Sequence, residues 1–196
     1  MTDGARSSQA PVMANAPATA SPARAGEIAA FRAIFDGEFD YLWRSLRRLG
    51  VQSRDLEDVT HDVFIEVHRQ LHRYDPSRPM RPWLFAFAFR FASDYRRLAR
   101  HRVEVFDEHD EPRAQAPLAD EALEDSEARA FVAAALEQIE MPRRAVFILH
   151  ELDEVPMNEI AESLGIPLNT AYSRLRVARQ EFTAASRRLL LKRGAR

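Results

Sequence analysis

Seven residues within eleven positions, Asn169, Thr170, Tyr172, Ser173, Arg174, Arg176 and Arg179, carry side chains suited to reading nucleic acid. Arginine can donate to both acceptors on the major-groove edge of guanine, while asparagine, threonine and serine grip phosphates or base edges. They fall in the stretch PMNEIAESLGIPLNTAYSRLRVAR, Pro156 to Arg179, whose periodicity predicts two short helices joined by a tight turn. Ile160, Ala161 and Leu164 share one face of the first helix, which Pro156 opens. Gly165 supplies the left-handed backbone of the turn, and Ile166 drops into the core behind it. From Pro167 the second helix turns Leu168, Ala171, Leu175 and Ala178 inward and leaves the polar residues outward. This pattern is a helix-turn-helix with its second helix shaped for a DNA major groove. A helical hairpin with a solvated basic face is the plainer alternative.

Composition limits what surrounds that element. The chain has 196 residues, 46% hydrophobic and 30% charged, which suits two small helical domains. It contains no cysteine, so disulfides and thiolate metal or redox sites are excluded. No apolar run approaches the ~20 residues of a membrane span, and the N-terminus lacks the basic and apolar regions of a signal peptide. A cytoplasmic location without membrane insertion is therefore expected. The net charge of −2 argues against indiscriminate coating of nucleic acid, so DNA affinity must come from local patches. The six histidines show no metal-ligand spacing and no phosphate loop is present, so neither a cofactor nor a metal is expected.

In chain order, residues 1–25 are rich in Ala, Pro, Ser and Thr and are expected to form a disordered arm. From Glu27, Ile28, Phe31, Ile34 and Phe35 share a helical face; Gly37 offers a break, and Phe39, Leu42, Trp43, Leu46 and Leu49 continue to Gly50. Ser53 or Asp55 caps a third helix with a stripe of Leu56, Val59, Val63, Val67 and Leu71. Its other face carries Asp55, Glu57, Asp58, His61, Asp62 and Glu66 around Ile65, which suits a basic partner. On charge alone, a solvated face is the more economical reading.

Tyr74 to Pro82, with three prolines, reads as a loop. The segment after it alternates Phe85, Phe87, Phe89 and Phe91 like a strand, but its alanines and polar continuation favour one long helix from Trp83. Leu84, Phe87, Ala88, Phe91, Tyr95 and Leu98 are its expected buried face. Aromatic rings beside an arginine cluster are also what holding unstacked bases requires. Residues 103–118 form an acidic, proline-broken linker. A helix from about Ala119, with Leu123, Ala130, Phe131, Ala134, Leu136 and Ile139 as candidates for burial, leads to another at Pro142 with Ala145, Val146, Ile148, Leu149 and Leu152 inward. The helix-turn-helix follows, then a basic tail ending at Arg196. The expected class is all-α: residues 26–102 and 119–196 as two small helical domains on a flexible acidic linker.

Two blocks now resemble a known family. DLEDVTHDVFIEVHRQLHRYDP with RPWLFAFAFRFASDYRR looks like the second conserved region of the extracytoplasmic-function sigma factors of bacterial RNA polymerase, within the sigma-70 family. IEMPRRAVFILHELDEVPMNEIAESLGIPLNTAYSRLRVAR, Ile139 to Arg179, looks like their fourth region. Two blocks in order are a stronger signal than a lone helix-turn-helix.

The resemblance implies partners: core RNA polymerase through its β′ clamp helices and β flap, promoter DNA and, as in many relatives, an anti-sigma factor. It places Asp55, Glu57, Asp58, His61 and Asp62, with Phe64, on the surface that docks on the clamp helices. Tyr74, Arg78, Trp83, Arg90, Asp94 and Arg97 match the loop and helix that capture flipped bases of the −10 element. Asn169, Thr170, Tyr172, Ser173, Arg174, Arg176 and Arg179 match the helix that reads the −35 element. Departures exist: His61 replaces a usual Gln, Arg90 a frequent Asn, and Glu154 and Pro156 a common Gly and Ser. The implied function is a dissociable promoter-specificity subunit with no catalysis of its own. The rivals are a self-sufficient helix-turn-helix regulator binding operators as a dimer, and a protein whose acidic faces sequester basic partners.

Overall fold

This computed structural model describes residues 22–105 and 120–194, and every regular element among them is helical. Helix α1 is Pro22–Leu49, α2 Leu56–Gln70, α3 Met80–Val105, α4 Asp120–Glu137, α5 Met141–Phe147, α6 Met157–Ser163 and α7 Leu168–Gly194. A 3-10 turn, Leu71–Arg73, follows α2, and a π-helical turn, Ile148–Leu152, follows α5. The expected arm lies outside the described residues up to 21, and the expected linker lies outside them from 106 onward. No helix among the described residues is long and apolar enough to cross a membrane.

The first lobe packs α1 against α2 and α3; the second packs α4, α5 and α6 around α7. In α1, Leu42, Leu46 and Leu49 recur at spacings of four and three and are fully buried, as are Leu56, Val63 and Val67 in α2. Phe64 is buried as well, stacked parallel to Phe39 at 6.0 Å and tilted against Phe35 at 4.6 Å. Gly37 does not break α1, which runs through it. A single helical glycine costs about 1 kcal/mol, too little to end a 28-residue helix anchored by buried leucines. In α3 the helical reading holds against the strand alternation. It begins at Met80, ahead of Trp83, because a proline such as Pro82 is tolerated in a first turn. Phe85 is fully buried, while Leu98, expected on the buried face, is 58% exposed.

The second lobe keeps the expected turn. Gly165 has φ +64°, and Ile166 N–H donates to Ala161 O at 2.9 Å. Ala171, Leu175 and Ala178 are buried, whereas Leu168, at the tip of α7, is 43% exposed. Among the described residues of α4, Ala135 is fully buried and Ala134 half-buried. Glu154 sits at φ +55°, in the left-handed region where a side chain is strained by roughly 1–2 kcal/mol. The buried residues of the two lobes form one continuous cluster, so helices α1 and α3 also pack against α4, α5 and α6.

Candidate functional site

Three surfaces collect the residues singled out in the sequence. The first is the outer face of α2. Glu57, Asp58, His61 and Asp62 are exposed on it beside Ile65, because burial of Leu56, Thr60, Val63, Phe64 and Val67 turns them outward. Asp55 differs. Its side chain makes no cap bond to the helix; instead its Oδ2 accepts from the Tyr95 hydroxyl at 2.6 Å. Burial, then this bond, pushes the Tyr95 hydroxyl up to about 12. Asp55 thus ties α2 to α3, and Phe64 belongs to the core, so neither is a free surface group. Alongside the acids runs an apolar groove floored by Phe31, Phe35 and Phe64 and rimmed by Ile65 and Arg69.

The second surface joins the 74–79 loop to α3. Asp75 Oδ1 accepts from the Ser77 N–H at 3.0 Å and hydroxyl at 2.7 Å, and the Tyr74 hydroxyl donates to Arg78 O, so the loop is internally braced. Tyr74, Trp83 and Phe87 form a ladder, with ring centroids 5.1 Å and 4.8 Å apart. The Arg90 guanidinium lies 5.3 Å from the Phe87 ring and 5.6 Å from Phe91, and approaches Glu66 Oε1 at 3.5 Å. The Gln70 amide, followed by the cations Arg90 and Arg69, holds the Glu66 carboxyl below its usual range. Asp94 and Arg97 pair at 3.1 Å, exposed and one turn apart. Arg78 is engaged elsewhere: it pairs with Glu162 on α6 and, at 3.4 Å, with Asp75.

The third surface is the outer face of α7. Asn169, Tyr172, Ser173, Arg176 and Arg179 are exposed, and Thr170 and Arg174 half-buried. Among the described residues neither Arg174 nor Arg176 carries an ion pair. Arg179 does: both its Nε and Nη2 donate to Glu151 Oε1, at 2.9 and 2.6 Å. The helix is braced from behind by Arg143, bidentate to Glu181 at 2.8 and 3.0 Å.

Sequence reasoning missed the groups between the lobes: Tyr41, Arg48, Arg144 and Asp153. A signal for Arg144 existed. Met141, Arg144, Ala145 and Ile148 follow the three-four spacing of an inward face, and all four are buried, Arg144 completely. A charged residue in that register must find partners indoors, and Arg144 donates to the carbonyls of Leu49, Glu137 and Ile139.

Comparison with known proteins gives a consistent picture. The family profile described as "Sigma-70 region 2" matches residues 37–102, and "Sigma-70, region 4" matches residues 132–182. The ECF RNA polymerase sigma factor SigL of Mycobacterium tuberculosis is 34% identical over 164 residues, covering 82% of this chain and 91% of SigL. SigE of Mycolicibacterium smegmatis, also an ECF RNA polymerase sigma factor, is 31% identical over 144 residues. That match covers 72% of this chain but only 56% of SigE, so the chain spans little more than half of that relative's length. The solved structure of the sigma factor RpoE in complex with the anti-sigma factor NepR from Bartonella quintana superposes with a TM-score of 0.62 at 18% identity, over 80% of this chain and 96% of that one. At that identity the likeness speaks for the fold.

Proposed function

The chain belongs to the extracytoplasmic-function sigma factors of the sigma-70 family, and from that membership we propose how its surfaces divide the work of an alternative RNA polymerase sigma factor. The acidic face of α2, with Glu57, Asp58, His61 and Asp62, docks the chain on the β′ clamp helices of core polymerase in the cytoplasm. The loop and α3 surface, with Tyr74, Trp83 and Arg90, receives unstacked bases of the −10 element. The outer face of α7, led by Arg174 and Arg176, enters the major groove at the −35 element. The observation that carries this reading is that the two matched regions present three chemically distinct surfaces: exposed acids on α2, the half-buried Tyr74 and Trp83 rings beside the exposed Arg90 on α3, and arginines on α7.

No bond is made or broken in this scheme. Holding extruded bases favours the open promoter, offsetting unstacking that costs a few kcal/mol. Trp83 is the platform, standing between Tyr74 and Phe87, and base–aromatic stacking contributes ~1–3 kcal/mol per base. Trp83→Ala is therefore expected to reduce permanganate-detected opening at the −10 element by about tenfold or more, with closed-complex formation preserved. Opening at wild-type levels in that variant would remove Trp83 from the assignment. Glu66 positions the Arg90 guanidinium over the rings, so Arg90 acts as a phosphate or base-edge contact at the ladder's end.

A self-sufficient operator-binding regulator finds less support. The family profiles match sigma-70 region 2 in addition to region 4, and α2 presents acids where a DNA-only protein needs none.

A further inference from the structure

Glu66 stands on α2 and serves α3 as well. Its side chain is 23% exposed against 51% for Arg90, so the acid is the anchored member of the pair. Gln70, one turn along α2, donates its amide to Glu66 Oε1 and fixes the carboxylate. Arg90 Nη2 approaches that same oxygen at 3.5 Å, and Arg69 Nη1 stands 3.7 Å from Oε2. The Arg90 guanidinium also meets the rings of Phe87 and Phe91, at 5.3 and 5.6 Å. A long side chain that would otherwise sweep the solvent is thereby held in one place, at the end of the Tyr74, Trp83 and Phe87 ladder.

What Arg90 can bind follows from the donors left over. A guanidinium carries five N–H donors in a rigid fork geometry, presented as parallel pairs. The approach of Nη2 to a single carboxylate oxygen engages one donor, and among the described residues no other acceptor approaches Arg90, so one two-donor edge stays available. Parallel donors match acceptors set side by side, and O6 and N7 of guanine are such a pair on the major-groove edge. Adenine places an amino donor where guanine has O6, while thymine offers one acceptor on that edge and cytosine a donor. A phosphate suits the site less well. It would bring a second anion against Glu66, whereas the neutral edge of a base needs only the donors that Glu66 leaves.

We propose that Arg90 reads a guanine in or directly beside the −10 element, and that Glu66 is the positioning residue that aims the free edge of Arg90 at O6 and N7. The inference rests on the assignment of the loop and α3 as the −10 surface. It goes beyond that assignment in naming the base and in making Glu66, on α2, a determinant of promoter sequence. Because the O6 and N7 edge of guanine faces the major groove of intact duplex, the contact can form before the strands part and persist as they open.

The test uses holoenzyme assembled from bacterial core polymerase and the full chain. Its probes are promoter DNAs in which each position of the −10 element and its immediate flanks is changed in turn through the four bases. With the wild-type chain, one position is expected to favour guanine by about tenfold. Arg90→Lys keeps the charge but loses the fork, and should abolish that preference while affinity for the other three bases changes by no more than about twofold. Glu66→Gln keeps the size of the side chain and an acceptor for Gln70, and should cut the guanine preference by roughly threefold or more by freeing Arg90. A uniform loss across the four bases in either variant would mark a phosphate contact or a merely structural pair and overturn the proposal. So would a preference at the Arg90-dependent position for any base other than guanine. The parent assignment fails separately. Wild-type opening in Trp83→Ala would remove the whole −10 surface, whereas impaired opening in Trp83→Ala with base preferences untouched in Arg90→Lys would sink the guanine contact alone.

Discussion

Asp58→Arg is expected to weaken binding to core RNA polymerase by on the order of 100-fold or more, about 2.7 kcal/mol, measured by competition with a labelled wild-type chain. Asp58 stands exposed in the first turn of α2, between the acids Glu57 and Asp62 and beside His61. Reversing its sign removes an attraction to the basic partner and sets a repulsion in its place, so the loss exceeds that of a neutral replacement. The fold should survive: a cation at a helix N-terminus costs only ~0.3–1 kcal/mol. Because the face is exposed to solvent, the penalty should shrink as salt is raised. Asp36→Arg supplies the control. That acid is equally open to solvent on α1, paired with Arg32 at 3.8 Å, and lies off the α2 face. Comparable losses in both variants would mean that net charge, not this surface, governs the encounter.

Arg176→Ala should lower transcription from promoters with an intact −35 element by roughly 10- to 100-fold, the 1–3 kcal/mol of a lost bidentate base contact. Arg176 is exposed on α7, and no acid occupies its guanidinium among the described residues. Arg179→Ala should cost less, since two of its donors are already spent on Glu151. A binding series on −35 variants separates the roles. Loss confined to one base position marks a base contact, and uniform loss with a shallower salt dependence marks a phosphate contact. Equal effects of Arg176→Ala and Arg179→Ala would contradict the division drawn from the Glu151 pair.

Much of this was legible in the chain itself. Periodicity placed the helices, Gly165 placed the turn, and the outward face of α7 followed from burial of Ala171, Leu175 and Ala178. Local rules work there because each element buries one stripe and shows the other. They failed where a partner lay far away in sequence. Asp55 looked like a free acid until Tyr95, forty positions on, was seen to hold it, and Arg179 looked unengaged until Glu151 was found beneath it. Phe64 sat in a block assigned to the surface, yet three phenylalanines of α1 enclose it. The pairing of the lobes through Asp153 and Arg48 was wholly hidden, because the two are 105 positions apart and neither stands out locally.

The most direct test of the central claim is run-off transcription with bacterial core polymerase, with and without this chain, on fragments of its own upstream DNA. Promoter-dependent transcripts that require the chain and disappear with Asp58→Arg are the predicted result. No stimulation, together with tight operator binding by the chain alone, would contradict it.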